Sequence, residues 1–311
     1  HPALVGLGLA VDVPRGDGTR SLLVPVIIEA DTMTFPEFRN ACDDLIGRAR
    51  TGELQADDFV GGTISLTNPG TLGTTLSVPR LMVGQGTIIG IGATDYPAAW
   101  AGAPADRLGD LGIGRTMYIT STYDHRVIQG ADSGEFLSLL AKKLTGADGF
   151  YHRIFEALRV PYPPYAWERD VVYDDEREKG KPARIVELIH AYRSRGHLAA
   201  DTDPLSYRVR HHPDLDISQY GLNMWDLDRM FPTGGFGGSN QMRLRDIIRR
   251  LRDTYTRSVG IEYMHIQDPA QRMWLQHAIE RPYEKPSKKT QLRILDTLMR
   301  AQAFEEFLQT K

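Results

Sequence analysis

RTMYITSTYDHRVIQGADSGEFLSLLAKKL, residues 115–144, decides the fold of the first half of the chain. It opens with an alternation: Met117, Ile119, Ser121 and Tyr123 fall on one side, and Tyr118, Thr120 and Thr122 on the other. That two-residue period is the period of a strand. The end of the stretch changes period. Phe136, Leu137, Leu140 and Leu144 recur at helical spacing and predict a helix over 131–144. Between them lies Asp124-His125-Arg126-Val127-Ile128-Gln129-Gly130, a polar turn that displays a histidine at a strand end, where loops carry chemistry. Taken alone, this segment reads better as a turn histidine hydrogen-bonded to its neighbours.

Moving outward toward the N-terminus, strands are predicted at 87–93 and 62–67. The second runs into GGTISLTNPGTLG (61–73), a loop rich in hydroxyls and glycine that by itself reads as an ordinary connection. Thr34-Phe35-Pro36-Glu37 has the composition of a helix start: Thr34 can cap, Glu37 can reach back, and Pro36 is tolerated in the first turn. The helix that follows puts Phe38, Cys42, Leu45 and Ile46 on one face, so Cys42 reads as a core residue. Residues 21–28 read as a buried strand in which Pro25 marks an edge or a bulge. With residues 7–13 and the turn Arg15-Gly16-Asp17-Gly18, this strand makes a hairpin. Strands interleaved with helices make the first half α+β.

The chain of 311 residues is long enough for two domains. Its hydrophobic fraction of 41% and charged fraction of 25% exclude collagen, coiled coil and bulk disorder. No apolar run reaches the ~20 residues of a membrane helix, and residues 1–5 lack a signal-peptide pattern. A single cysteine fits a reducing compartment. A net charge of -3 argues against general nucleic-acid binding. The average conceals a break. Of the 30 glycines, 21 lie in 1–146, where 11 basic residues face 16 acidic ones; 147–311 holds 26 and 24. The domain boundary is therefore placed near Gly146, giving domains 1–146 and 147–311.

The second half reads as helical. A short helix over 150–160 leads to the stiff run Pro161-Tyr162-Pro163-Pro164. Helices follow at 181–196 (Ile185, Leu188, Ile189 and Tyr192 inward, Gly196 ending it), 242–259 (Leu244, Ile247, Ile248, Leu251 and Tyr255 inward), 269–279 and 287–308. The arginines of 243–257 have Asp246 and Asp253 interleaved and read as a solvated or ion-paired face. His211-His212-Pro213-Asp214 lacks a ligand set of the right spacing and reads as a loop. Gly234-Gly235-Phe236-Gly237-Gly238 does not sit between a strand and a helix as a phosphate cradle would.

Residues 124–130 resemble the active-site motif of the dihydrolipoamide acyltransferases of 2-oxo acid dehydrogenase complexes. Gly62-Thr63-Ile64-Ser65-Leu66-Thr67-Asn68 resembles the family's other catalytic loop. His1-Pro2 and residues 8–14 and 24–27 match the same domain in the same order. The resemblance implies a chloramphenicol-acetyltransferase-like α+β domain, entered at its middle, followed by an all-helical domain. It implies His125 as the base and Thr67 as the oxyanion donor, contributed by different subunits of a trimer or a multiple of trimers. Gln129 stands where the family usually has an acidic residue; its implied role is to orient the site by hydrogen bonding.

Residues 192–205, 212–215, 221–222, 260–266 and 304–311 resemble the start of the thiamine-dependent 2-oxoglutarate dehydrogenase component. The order of the two segments is that of the fused, multifunctional 2-oxoglutarate dehydrogenases of actinobacterial type. The implied function is succinyl transfer from dihydrolipoamide to coenzyme A in the tricarboxylic acid cycle. The lipoyl group would arrive on the lipoyl domain of a separate acyltransferase component, and dihydrolipoamide dehydrogenase would be a further partner. The intact chain would also decarboxylate 2-oxoglutarate with thiamine diphosphate and Mg²⁺ bound elsewhere. Gly16-Asp17-Gly18 has no paired asparagines after it and reads as a hairpin turn rather than a thiamine site. Cytoplasmic location without nucleic-acid or membrane partners is expected. The rival reading is an acyltransferase-like domain serving mainly as a structural assembly core.

Overall fold

The computed structural model describes residues 4–310 except 15, 17, 169–174, 204, 206–207 and 283–284. His1, Pro2, Arg15, Asp17, Pro204 and Lys311, which the sequence reading used, therefore lie outside the described residues. In chain order the first half contains β1 (Leu7–Leu9), β2 (Val11–Pro14), β3 (Arg20–Leu23), β4 (Val26–Ile27), α1 (Phe35–Thr51), β5 (Ile64–Thr67), β6 (Thr87–Ile91), α2 (Ala105–Asp110), β7 (Ile119–Tyr123), α3 (Gly130–Leu144) and α4 (Phe150–Ala157). Five strands form one sheet in the order β4-β1-β5-β6-β7. The inner strands β1, β5 and β6 run parallel, and β4 and β7 close the two sides antiparallel.

The strand expected over 21–28 is two strands. Proline has no N–H for a ladder, and the chain changes partner there: β3 pairs with β2 as a separate ribbon, while β4 joins the sheet beside β1. The Pro25 carbonyl accepts the Leu9 N–H at 2.8 Å. Helix α1 starts as its residues predict, with the Thr34 N–H donating to Glu37 Oε2 at 2.8 Å. Leu45 and Ala49 are buried beneath it, and Cys42 is half-buried, its thiol pushed up by burial and by Asp43. Helix α3 also forms where expected, but its stripe is only partly covered: Phe136 is 38% and Leu144 43% exposed.

The second half contains α5 (Asp175–Arg195), β8 (Met230–Pro232), β9 (Gln241–Arg243), α6 (Leu244–Tyr255), α7 (Pro269–Ile279) and α8 (Lys288–Gln309). It is not wholly helical. β8 and β9 pair as an antiparallel ribbon, so Met242 and Arg243, expected to begin a helix, are strand residues. The five-residue glycine cluster is the turn of that ribbon, folded over a Phe236 that is fully buried. The expected inward faces of α5 and α6 share one core with Phe231, Phe236 and Tyr263. Each fully buried Leu or Ile there contributes roughly 1.5–3 kcal/mol.

The two halves touch. Leu108 of α2 is buried. A Cβ on Gly109 would lie 2.8 Å from the Asp228 carbonyl oxygen, and one on Gly114 3.4 Å from the Trp225 ring. Arg243 reaches Asp106 at 3.2 Å. The Trp225 Nε1–H donates to the Glu168 carbonyl at 2.9 Å, and Arg252 lies over the rings of Tyr162 and Tyr165 at 4.0 and 5.0 Å. The proline-rich run is thereby strapped along the helical half. Among the described residues, no helix is long and apolar enough to cross a membrane.

Candidate active site

β7 delivers the histidine turn to one end of the sheet. Tyr123 pairs with Thr87, and the Asp124 N–H closes the ladder on the Gly86 carbonyl at 2.9 Å. The chain then folds on Asp124, whose carbonyl accepts the N–H groups of Val127 and Ile128, both at 3.0 Å. The Asp124 carboxylate accepts from the Arg126 backbone N–H at 2.9 Å and from its guanidinium Nε at 2.9 and 3.0 Å. Those bonds, side-chain first and then backbone, hold the Asp124 carboxyl at about 2, well below its ordinary value. The two residues flanking His125 are therefore clamped to each other, and the imidazole stands exposed between them. It leans on the Tyr123 ring, 5.7 Å between centroids and tilted 48°.

Helix α3 starts at the far side of this turn. Gln129 is its N-cap residue, exposed, with its backbone N–H donating to Asp132 Oδ2 at 3.0 Å. Hydroxyls tie the helix to the sheet: Ser133 donates to Ser121 at 3.2 Å, and Ser121 lies 3.1 Å from Thr87.

Thr67 lies elsewhere. It is the last residue of β5, half-buried, and pairs with Gly90. The histidine turn is level with Gly86, the residue just before that strand. Four residues of strand rise separate the two levels, about 13 Å. The structure thus brings His125 and Gln129 together at one end of the sheet and places Thr67 at the other. Asp124 and Arg126 were not singled out from the sequence as a clamp. Their signal was an acid and a base flanking the histidine at a spacing of two.

The other tempting motifs resolve into local structure. His212 Nδ1 accepts the Asp214 N–H at 3.2 Å, and His211 faces Asp216 at 3.4 Å. Among the described residues, no cluster of His, Cys, Asp or Glu could hold a metal ion. The basic helix is ion-paired: Arg245 with Asp228, Arg249 with Asp246, Arg257 with Asp253.

Residues 2–149 match the family model of the 2-oxoacid dehydrogenases acyltransferase (catalytic domain). The chain carries the acyltransferase catalytic domain of the 2-oxo acid dehydrogenase family. Over its whole length it is similar to longer proteins. A multifunctional 2-oxoglutarate metabolism enzyme of Mycolicibacterium vanbaalenii is 52% identical over 313 residues, covering 100% of this chain and 25% of that protein. The 2-oxoglutarate dehydrogenase E1/E2 component of Corynebacterium glutamicum is 52% identical over 315 residues, covering 100% of this chain and 26% of that one. The chain thus spans about a quarter of the length of these relatives. Among solved structures, a dihydrolipoamide acetyltransferase of Azotobacter vinelandii is 29% identical over 51% of this chain and 58% of that one, with a TM-score of 0.38.

Proposed function

We propose that the acyltransferase domain moves a succinyl group from dihydrolipoamide to coenzyme A, with His125 as base, Thr67 as oxyanion donor and Gln129 at the rim of the site. A neutral imidazole takes the proton of the coenzyme A thiol. The thiolate attacks the thioester carbonyl, and the tetrahedral oxyanion accepts the Thr67 O–H. Collapse expels the dihydrolipoyl thiolate, which recovers the proton from the imidazolium. The observation that carries this reading is the clamped turn that leaves the His125 imidazole exposed at a strand end. The separation of Thr67 from His125 supports a site completed by a second copy, as in a trimer or a multiple of trimers.

The two segments are read as domains meeting near Gly146, the second being the front of a 2-oxoglutarate dehydrogenase component. Whole-chain similarity to relatives named for 2-oxoglutarate supports succinyl as the acyl group. A lipoyl domain on a separate acyltransferase component, dihydrolipoamide dehydrogenase and a cytoplasmic setting complete the proposal. Thiamine diphosphate and Mg²⁺ do not fit the residues present. Paired asparagines do not follow Gly16-Asp17-Gly18 in the sequence. Decarboxylation is therefore assigned to other parts of the longer protein. The rival, an assembly core without chemistry, is separated by assaying succinyl transfer in the intact protein. His125→Ala should abolish transfer while thiamine-dependent decarboxylation persists; equal loss of both activities would overturn the assignment.

A further inference from the structure

The geometry points to Gly70, Gly90 and Gly92 as positioning residues for the Thr67 hydroxyl, an inference that rests on Thr67 being a site residue. The chain leaving Thr67 is exposed over residues 71–76, but its backbone folds back across the ends of β6 and β7 and is seated there by close backbone contact. A Cβ on Gly70 would lie 2.3 Å from the Gly92 carbonyl carbon and 2.5 Å from the Ala93 nitrogen. One on Gly92 would lie 2.0 Å from the Thr75 carbonyl oxygen, and one on Gly90 2.6 Å from Thr120 Oγ1 and 3.1 Å from Ser77 Oγ. None of the three has a positive φ, so what they supply is room for close approach rather than a turn conformation.

Hydrogen bonds hold the segment where the glycines admit it. Ala93 N–H donates to the Thr74 carbonyl at 2.8 Å, and Thr120 Oγ1–H to the Ser77 carbonyl at 2.9 Å. Gly90 is also the residue opposite Thr67 in the ladder. The loop is therefore seated both beside Thr67 and three residues beyond it. A Cβ at Gly70 or Gly92 meets backbone, which yields only if the loop moves. A Cβ at Gly90 first meets a side-chain hydroxyl rather than backbone.

The test is a set of variants of the intact protein, assayed for acyl transfer between dihydrolipoamide and coenzyme A and for hydrogen exchange over 68–79. Gly92→Ala should lower kcat roughly 10- to 100-fold, the scale of a misplaced catalytic group, with KM for coenzyme A within about twofold. Gly90→Ala should lower kcat less, because its Cβ first meets the Thr120 hydroxyl and not backbone. In a Thr67→Ala background, Gly92→Ala should cost nothing further, because the two act through one hydroxyl. Gly47→Ala, where a Cβ meets nothing within 4 Å, is the control. Additive losses in the Thr67→Ala background, or kcat unchanged in Gly92→Ala, would overturn the inference. Wild-type protein without acyl transfer would instead refute the proposed function. The exchange data would then still decide the seating, since slow exchange over 68–79 in Gly92→Ala overturns it.

Discussion

If one chain cannot bring Thr67 and His125 together, two defective chains can make a working site. The perturbation is to co-assemble His125→Ala with Thr67→Ala. Alone, the first should lose roughly 10²–10⁴ in rate and the second roughly 10²–10³. The structural input is the register: Thr67 lies level with Gly90 and the histidine turn with Gly86, about 13 Å apart along the strands. In a closed ring each site takes its histidine from one subunit and its hydroxyl from the next. With equal mixing, the histidine donor retains His125 in about half the sites and the hydroxyl donor retains Thr67 in about half, so about a quarter of the sites are intact. The mixture should recover about a quarter of wild-type activity, at least 25 times more than either parent by the same estimate. The assay is thioester formation after co-expression, with assembly followed by sedimentation. A mixed oligomer no more active than the mean of its parents would refute the shared site.

Three further outcomes are expected. Gln129→Asp should keep full activity and match or raise Tm by differential scanning fluorimetry, because aspartate is the stronger N-cap and the side chain is exposed; a lower Tm would contradict the cap. The Asp124 carboxyl ionises at about 2 in the fold against 3.8 unperturbed, so its ion pair is fully formed above about pH 4 and is lost as pH falls through about 2; carboxyl NMR should show a midpoint at about 2, and a midpoint near 4 would mean the clamp is not formed. Glu280 is buried, receiving Arg193 at 2.7 and 2.9 Å and the Tyr255 hydroxyl at 2.7 Å; Glu280→Ala should cost about 3–5 kcal/mol in urea unfolding by stranding Arg193, and a loss below about 1 kcal/mol would refute that.

Period alone located the long elements. The stripes of α5 and α6 are spaced at helical intervals because they share one core, and α7 runs over the expected residues since Asp268 caps it through the Ala270 N–H. Elements too short to show a period were missed. β8 and β9 have three residues each, and Met242 fits a helical spacing as well as a strand. Pro25 announced an interruption but not that the chain would change sheets there, which depends on β1 being available to pair. In the candidate site, His125 is legible as a residue of a strand-end turn, whereas Thr67 enters through the family resemblance alone. Their placement at opposite ends of the sheet is not legible, because register between strands distant in sequence leaves no local mark. The clamp on Asp124 and the glycine seats are likewise products of folding.

The ion pair between α2 and the ribbon of the helical half, Arg243 with Asp106, is largely exposed, worth about 0–1 kcal/mol. As an encounter between separate proteins the contact would dissolve at cellular concentrations. Carried on one chain, the same surfaces face each other at an effective concentration on the order of millimolar, so a dissociation constant about tenfold lower keeps them mostly closed. Splitting the gene would therefore remove more than a covalent link. It would dilute the contact by orders of magnitude, uncovering the Asp228 carbonyl against which Gly109 packs.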